Sequence, residues 1–188
     1  MGTGSPIRAD IAVVGLGAAG AAALWQLARA GCNVVGIEQF SLAHDRGSSH
    51  GQTRLVRVAY AEGERYVPFV RRAIALWRAL EAESGETLFH QTGVFYAGNP
   101  HSAFMADSMA SARAHGVELA SLTRGGNGVA TRSGLRVPDA WTSFVEVEGG
   151  FVLAERTIDV LAAQAQRAGA RVIPNAKVKS ITVSASGV

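Results

Sequence analysis

Residues 15–20, Gly15-Leu16-Gly17-Ala18-Ala19-Gly20, carry glycine at the spacing G-x-G-x-x-G between two segments of opposite character. Before them, Ile11–Val14 is a short apolar run with β-branched residues, as a buried parallel strand requires. After them, Ala18–Ala30 is alanine-rich and reads as a helix, with Gly31 placed to end it. Val34–Ile37 reads as a second strand, so strand, glycine turn, helix and strand fit a βαβ crossover of about 30 residues. In that register each glycine has a task. Gly15 allows the tight turn, Gly17 lets the backbone approach a pyrophosphate, and Gly20 lets the helix pack close to the strand. Ala18 and Ala19 open the helix, where unpaired N–H groups and a partial positive charge favour phosphate. Glu38 ends the second strand 18 residues after Gly20, with Gln39 beside it. A carboxylate there can accept hydrogen bonds from ribose hydroxyls and would repel a 2′-phosphate, which disfavours NADP. The alternative for Glu38 is a capping or solvated glutamate.

The rest of the composition narrows the class. Of the 188 residues, 48 % are apolar and 18 % charged, enough for a buried core and too apolar for wholesale disorder. The net charge of +3 comes from scattered arginines without interleaved aromatic residues, so no nucleic-acid partner is expected. A single cysteine, Cys32, rules out an internal disulfide; it fits a reducing, cytoplasmic setting and reads as a buried structural thiol. The uncharged run Ile11–Leu24 follows Arg8 and mimics a signal-peptide core. It is shorter than the about 20 residues of a membrane span, and it changes from strand-like to helix-like midway. No membrane partner and no metal site are expected, and the oligomeric state is not legible.

Further along, Ser41–Thr53 reads as a loop and Pro68–Glu83 as an amphipathic helix with Val70, Ala73, Ile74, Trp77 and Leu80 on one stripe. Thr92–Gly98 reads as a strand, and Ser102 can cap a helix over Ala103–His115. Gly125, Gly126 and Gly128 suggest a flexible patch. Trp141–Val147 and Phe151–Leu153 flank Gly149-Gly150 as a hairpin would. A helix over Glu155–Ala168 and strands at Arg171–Ile173 and Val178–Ser184 follow, with a turn at Ser186-Gly187 whose returning strand is absent. The fold class is α/β: a Rossmann-like βαβ layer interrupted by a mixed, antiparallel-rich domain. The expected divisions are 9–85, a nucleotide-binding unit with its loop and following helix; 86–153, part of a substrate domain; and 154–188, an incomplete return to the first domain.

Local chemistry does not separate NAD from FAD. The segment "GSSHGQTRLVR" at 47–57, continued by "YAEGERYVP" at 60–68, does. It resembles the FAD-dependent amine oxidases of the monomeric sarcosine oxidase and N-methyltryptophan oxidase kind, within the D-amino-acid-oxidase-like group. The likeness runs over nearly the whole chain, and "GGFVLAERTIDVLAAQAQRAGARVI" from Gly149 resembles the family's return to its FAD domain. Ser49 and Gln52 depart from the family, which commonly has histidine and aspartate there.

The resemblance implies that Gly47, Ser48, Ser49 and His50 lie along FAD, that Arg54 sits against the flavin ring, and that Val178 touches the adenine through its backbone. It implies that Arg57 faces the substrate carboxylate. From spacing alone, Arg54 and Arg57 are solvated or pair with Glu62 and Glu64. A guanidinium suits a carboxylate because its planar fork makes two parallel charge-assisted bonds. The expected reaction is oxidation of a secondary amine or N-methyl amino acid with oxygen as acceptor: hydride transfer to the flavin, hydrolysis of the iminium and release of peroxide. His50 is the obvious candidate base but is not assigned that role, since a lone histidine in a glycine-rich loop equally reads as a hydrogen-bond partner of the loop. The family's flavin-attaching cysteine and oxygen-handling lysine belong to its C-terminal half, so the chain reads as an N-terminal half expected not to turn over alone. Two other readings stand beside this one: a non-catalytic dinucleotide-binding module, and the N-terminal domain of an NAD-dependent dehydrogenase.

Overall fold

The computed structural model describes residues 6–124 and 134–183. The chain divides into two compact units, Met1–Gln52 with Leu153–Val188, and Thr53–Val152.

The first unit is built on a parallel sheet. Strands β1 (Ile11–Val14), β2 (Val34–Ile37) and β9 (Arg171–Ile173) lie in the order β1-β2-β9. The registers pair Ile11 with Val34 and Val35 with Arg171. Helix α1 (Ala18–Arg29) joins β1 to β2, and α4 (Ala154–Arg167) precedes β9 and packs on α1. α1 buries Ala21, Leu24, Trp25 and Ala28, while α4 buries Ile158, Leu161, Ala162 and Ala165. The alanines let the two helix axes approach closely. Gly36 serves the same packing from the sheet, since a Cβ there would lie 2.7 Å from Leu24 Cδ2 and 3.0 Å from Leu16 Cδ2.

Three expectations for this unit change. β1 is not buried on both faces: it is an edge strand whose exposure alternates, and Val14 is 55 % exposed. Cys32 is half-buried rather than buried, because it lies past the helix end, where its amide donates to Leu27 O at 3.1 Å. Among the described residues, 178–183 form no strand. The chain after β9 instead turns through Asn175 (φ 57°), where the amides of Asn175 and Ala176 donate to Phe40 O and Glu38 O, both at 2.8 Å. The proposed turn at Ser186-Gly187 and the glycine patch at 125–128 lie outside the described residues.

Among its described residues the second unit holds two antiparallel sheets. β3 (Arg54–Val56), β8 (Gly150–Val152) and β4 (Phe89–His90) form one, in the order β3-β8-β4. β5 (Val94–Gly98), β7 (Thr142–Glu146) and β6 (Leu119–Arg124) form the other, in the order β5-β7-β6. Helix α2 (Val67–Ser84) lies in this unit, whereas the sequence reading grouped it with the nucleotide-binding segment. Its stripe is as expected. Leu80 is buried, Val70, Ile74 and Trp77 pack on the core of Val56, Phe89 and Val152, and Trp77 stacks on Phe89 at 5.7 Å. Helix α3 (Ala103–Ala114) begins with Ser102 accepting from the amide of Met105, as its cap position requires.

Gly149-Gly150 does not close a hairpin. β7 pairs with β5 and β6, and β8 with β3 and β4, so the two glycines carry the chain from one sheet to the other. A Cβ on Gly150 would collide with His90 O, and one on Gly149 with Glu146 Oε1 and, at 2.6 Å, with Val56 O. Glycine is required here for close backbone approach, a need that shares its sequence signature with a turn. Among the described residues no helix is long and apolar enough to cross a membrane.

Candidate functional site

The glycine motif acts as its spacing implies. Gly15 holds φ at +88° and donates its amide to Ile37 O at 2.8 Å, turning the chain sharply at the end of β1. Gly20 packs so closely that a Cβ would collide with Gly15 O. Gly17 is the N-cap of α1, and the first turn holds no acidic residue. With no side chain at the cap position, the positive end of the helix faces the cleft in front of it. Ser49 reaches this turn from the loop, accepting from Ala18 N at 3.2 Å.

That cleft has a volume of about 400 Å³ and lies wholly within the first unit. Of the sequence-selected residues, Gly15, Gly17, Glu38, Gln39, Gly47, Ser48, Ser49 and Val178 line it. Ala18, Ala19, Gly20 and His50 do not. The two alanines are exposed at the start of α1, Gly20 faces the strand turn, and a His50 ring nitrogen contacts Gly47 O. His50 thus contacts its own loop.

Glu38 is buried, with 4 % of its surface exposed. Its Oε2 accepts from Leu16 N at 2.8 Å, and its Oε1 accepts from Phe40 N at 3.1 Å and lies 3.3 Å from His44 Nε2. Burial pushes its carboxyl up, but the amides of Leu16, Phe40 and Gln39 and the neighbouring His44 together hold it below the usual carboxylate value. The solvated alternative does not fit, since the buried carboxylate accepts the amides of Leu16 and Phe40 and ties β2 to the glycine turn. Sequence reading missed His44, Arg46 and Lys177 on the cleft wall. His44 Nδ1 accepts from Arg46 N at 3.0 Å, and the Arg46 guanidinium lies 4.6 Å over Phe40. The only available signal was a histidine and an arginine inside a segment read as plain loop, and a lysine between the segments read as strands at 171–173 and 178–184.

In the second unit, Arg54 is exposed at the start of β3, and its Nη1 donates to its own neighbour Thr53 O at 2.9 Å. Arg57 follows β3 directly. It is half-buried, donates from Nη2 to Glu62 Oε1 at 3.0 Å, and lies over the rings of Tyr60 and Phe104 at 5.3 and 5.5 Å. The carboxylate of Glu62 is held low by a backbone amide and by Arg57. This is the ion pair that spacing alone suggested. Arg57 also presents a guanidinium on an aromatic wall, with its Nη2 on a carboxylate that is 56 % exposed.

A parallel βαβ sheet, a bare glycine helix cap and an ionised carboxylate at the end of β2, gathered on one cleft, define a dinucleotide-binding α/β unit carrying an antiparallel insert. A family profile for FAD dependent oxidoreductases matches residues 10–188, and the chain belongs to this family, whose cofactor is FAD. It is 35 % identical over 182 residues to N-methyl-L-tryptophan oxidase of Yersinia pestis (strain Pestoides F), covering 95 % of this chain and 48 % of that protein. The structure is similar to the open form of NikD, an unusual amino acid oxidase essential for nikkomycin biosynthesis. The TM-score is 0.77 at 27 % identity, over 89 % of this chain and 43 % of that one. L-proline dehydrogenase from P. horikoshii shares the fold, with a TM-score of 0.77 at 20 % identity over 96 % of this chain and 47 % of that one. The chain spans about half the length of the relatives it matches.

Proposed function

We propose that this chain supplies the ADP-binding and carboxylate-binding parts of an FAD-dependent oxidase acting on a secondary amine or N-methyl amino acid. One observation carries the cofactor part: Gly17, the glycine N-cap of α1, and the ionised Glu38 line the same cleft. The residues fit the group. The helix end offers amides to a pyrophosphate, Glu38 offers lone pairs to ribose hydroxyls, and Val178 offers backbone at the same cleft. Gly47, Ser48 and Ser49 would lie along the remainder of FAD, with Arg54 toward the ring. Bound FAD would supply the two-electron acceptor, with oxygen taking up the electrons afterwards.

Arg57 is the proposed anchor for the substrate carboxylate. Its guanidinium makes two parallel bonds to a carboxylate where lysine makes one, and the rings of Tyr60 and Phe104 shield it from water on one side. Held there, an amino acid is oriented by a fixed point, which is how the chain's own residues contribute to the reaction. The single cysteine supports a reducing, cytoplasmic setting.

The test is Arg57→Lys in the flavin-loaded protein, which keeps the charge and removes the fork. Apparent affinity for N-methyl amino acids should fall about tenfold, the loss of one charge-assisted bond. Unchanged affinity for every such substrate would remove Arg57 from the site.

A further inference from the structure

Glu146 is the last residue of β7 and is fully buried. Among the interactions described, no cation pairs with it. Its Oε1 accepts from Val58 N at 2.6 Å, and its Oε2 accepts from Ala59 N at 2.7 Å and from the Tyr96 hydroxyl at 2.9 Å. Charge-assisted bonds of this length are the strong ones, and a buried carboxylate persists only where such donors are supplied. The two amides belong to the residues immediately after Arg57. On the other side of Arg57, β3 is fixed in register by β8, Val56 opposite Gly150. Arg57 is therefore the one residue between a strand ladder and a carboxylate clamp. The charge is costly to bury, and the apolar core of Val58, Ala59, Tyr96 and Phe144 around it would be simpler without it.

We propose that Glu146 is a positioning residue for Arg57: by gripping the Val58 and Ala59 amides it fixes the backbone from which the guanidinium reaches the substrate carboxylate. The inference rests on the reading of Arg57 as that anchor. Glu146 touches neither substrate nor cofactor, and it acts only through the peptide units that follow Arg57.

The experiment compares binding of N-methyl-L-tryptophan and of its carboxamide by calorimetry, since the ratio of the two affinities reports the anchor alone. Melting temperature is read on the same samples. Glu146→Gln turns an amide N–H₂ toward one of the two backbone donors. Glu146→Asp keeps the charge but shortens the reach, and it serves where the glutamine variant does not fold. Tyr96→Phe removes one bond from the carboxylate and leaves both backbone bonds in place. Glu146→Gln or Glu146→Asp should reduce the preference for the carboxylate about tenfold, as Arg57→Gln does. Tyr96→Phe should lower the melting temperature and keep the preference. A purely structural Glu146 predicts instead that preference follows melting temperature across all the variants, and that result overturns the proposal. If Arg57→Gln erases the preference while folded Glu146 variants retain it, the proposal fails and the reading of Arg57 stands. If Arg57→Gln leaves the preference intact, the reading of Arg57 fails and this inference falls with it.

Discussion

The Glu38 carboxylate accepts the amide of Leu16 at 2.8 Å across 22 positions of sequence, so the acidic end of β2 and the glycine turn after β1 form one hydrogen-bonded unit. The shape of the glycine turn and the position of the carboxylate on the cleft wall are thereby set together.

The glycines of that turn separate by what a side chain would meet. At Gly17 a Cβ reaches only Ser49 Oγ, at 3.4 Å, whereas at Gly20 it collides with the backbone carbonyl of Gly15. Gly17→Val should fold with nearly native stability and lose flavin, read as loss of the visible absorption after purification with added FAD. Gly20→Ala should cost about 1–3 kcal/mol of stability by overpacking. Full flavin occupancy in Gly17→Val would place the phosphates elsewhere.

Glu38 also gives a pH dependence. Its carboxyl is depressed in the folded chain, so the folded state binds fewer protons than the unfolded state in the acid range. The stabilisation is present above the ordinary carboxylate value of 4.5 and is lost as pH falls through the lower folded value. Glu38→Gln should be less stable than wild type at pH 7 by about 1.5–3 kcal/mol, the worth of hydrogen bonds to a charged group. The gap should close in denaturant titrations carried out progressively below pH 4.5. A gap that stays constant down to the acid limit would mean that the charge of Glu38 does not contribute.

At the sheet crossing, Gly150→Ala must push a methyl group into His90 O, a backbone atom that cannot rotate away. The expected loss is at least about 1–3 kcal/mol in chemical denaturation, and more if β4 and β8 separate. A neutral result would mean that the crossing is looser than these distances require.

Glu62 occupies one arm of Arg57 and is itself mostly exposed. An exposed ion pair is worth about 0–1 kcal/mol, so Glu62→Gln should tighten binding of a carboxylate ligand by up to roughly fivefold. Titration of the variant with an N-methyl amino acid decides it. Weaker binding would mean that Glu62 helps to aim the guanidinium instead of competing for it.

What the sequence displayed was local. The glycine spacing, the α2 stripe and the Ser102 cap each depend on neighbours within one turn or one helix, and each has its place in the structure. What it hid was long-range. Gly149-Gly150 carries the composition of a turn, and only the partners of β7 and β8 reveal a crossing between sheets. Glu146 sits in phase with Phe144 on the inward side of its strand, a faint signal of a buried carboxylate, but its amide partners lie 87 and 88 residues away. Arg57 and Glu62 are close enough in sequence for their pairing to be foreseen, and it is present.

The pairing of Arg54 with Val152 places the first and last strands of the second unit side by side. The parallel partner residues Val35 and Arg171 are 136 positions apart, a long loop to close directly from an unfolded chain. Once the second unit has formed, its joined ends short-circuit that loop. The free chain left to order is then only 38–52 and 153–170. That is about a quarter of the length, and roughly 1.2 kcal/mol less closure entropy. During synthesis β1 and β2 emerge first but must wait for β9, and the inserted unit is the part that can fold in the interval. Its assembly is therefore expected to set the pace at which the nucleotide cleft is completed.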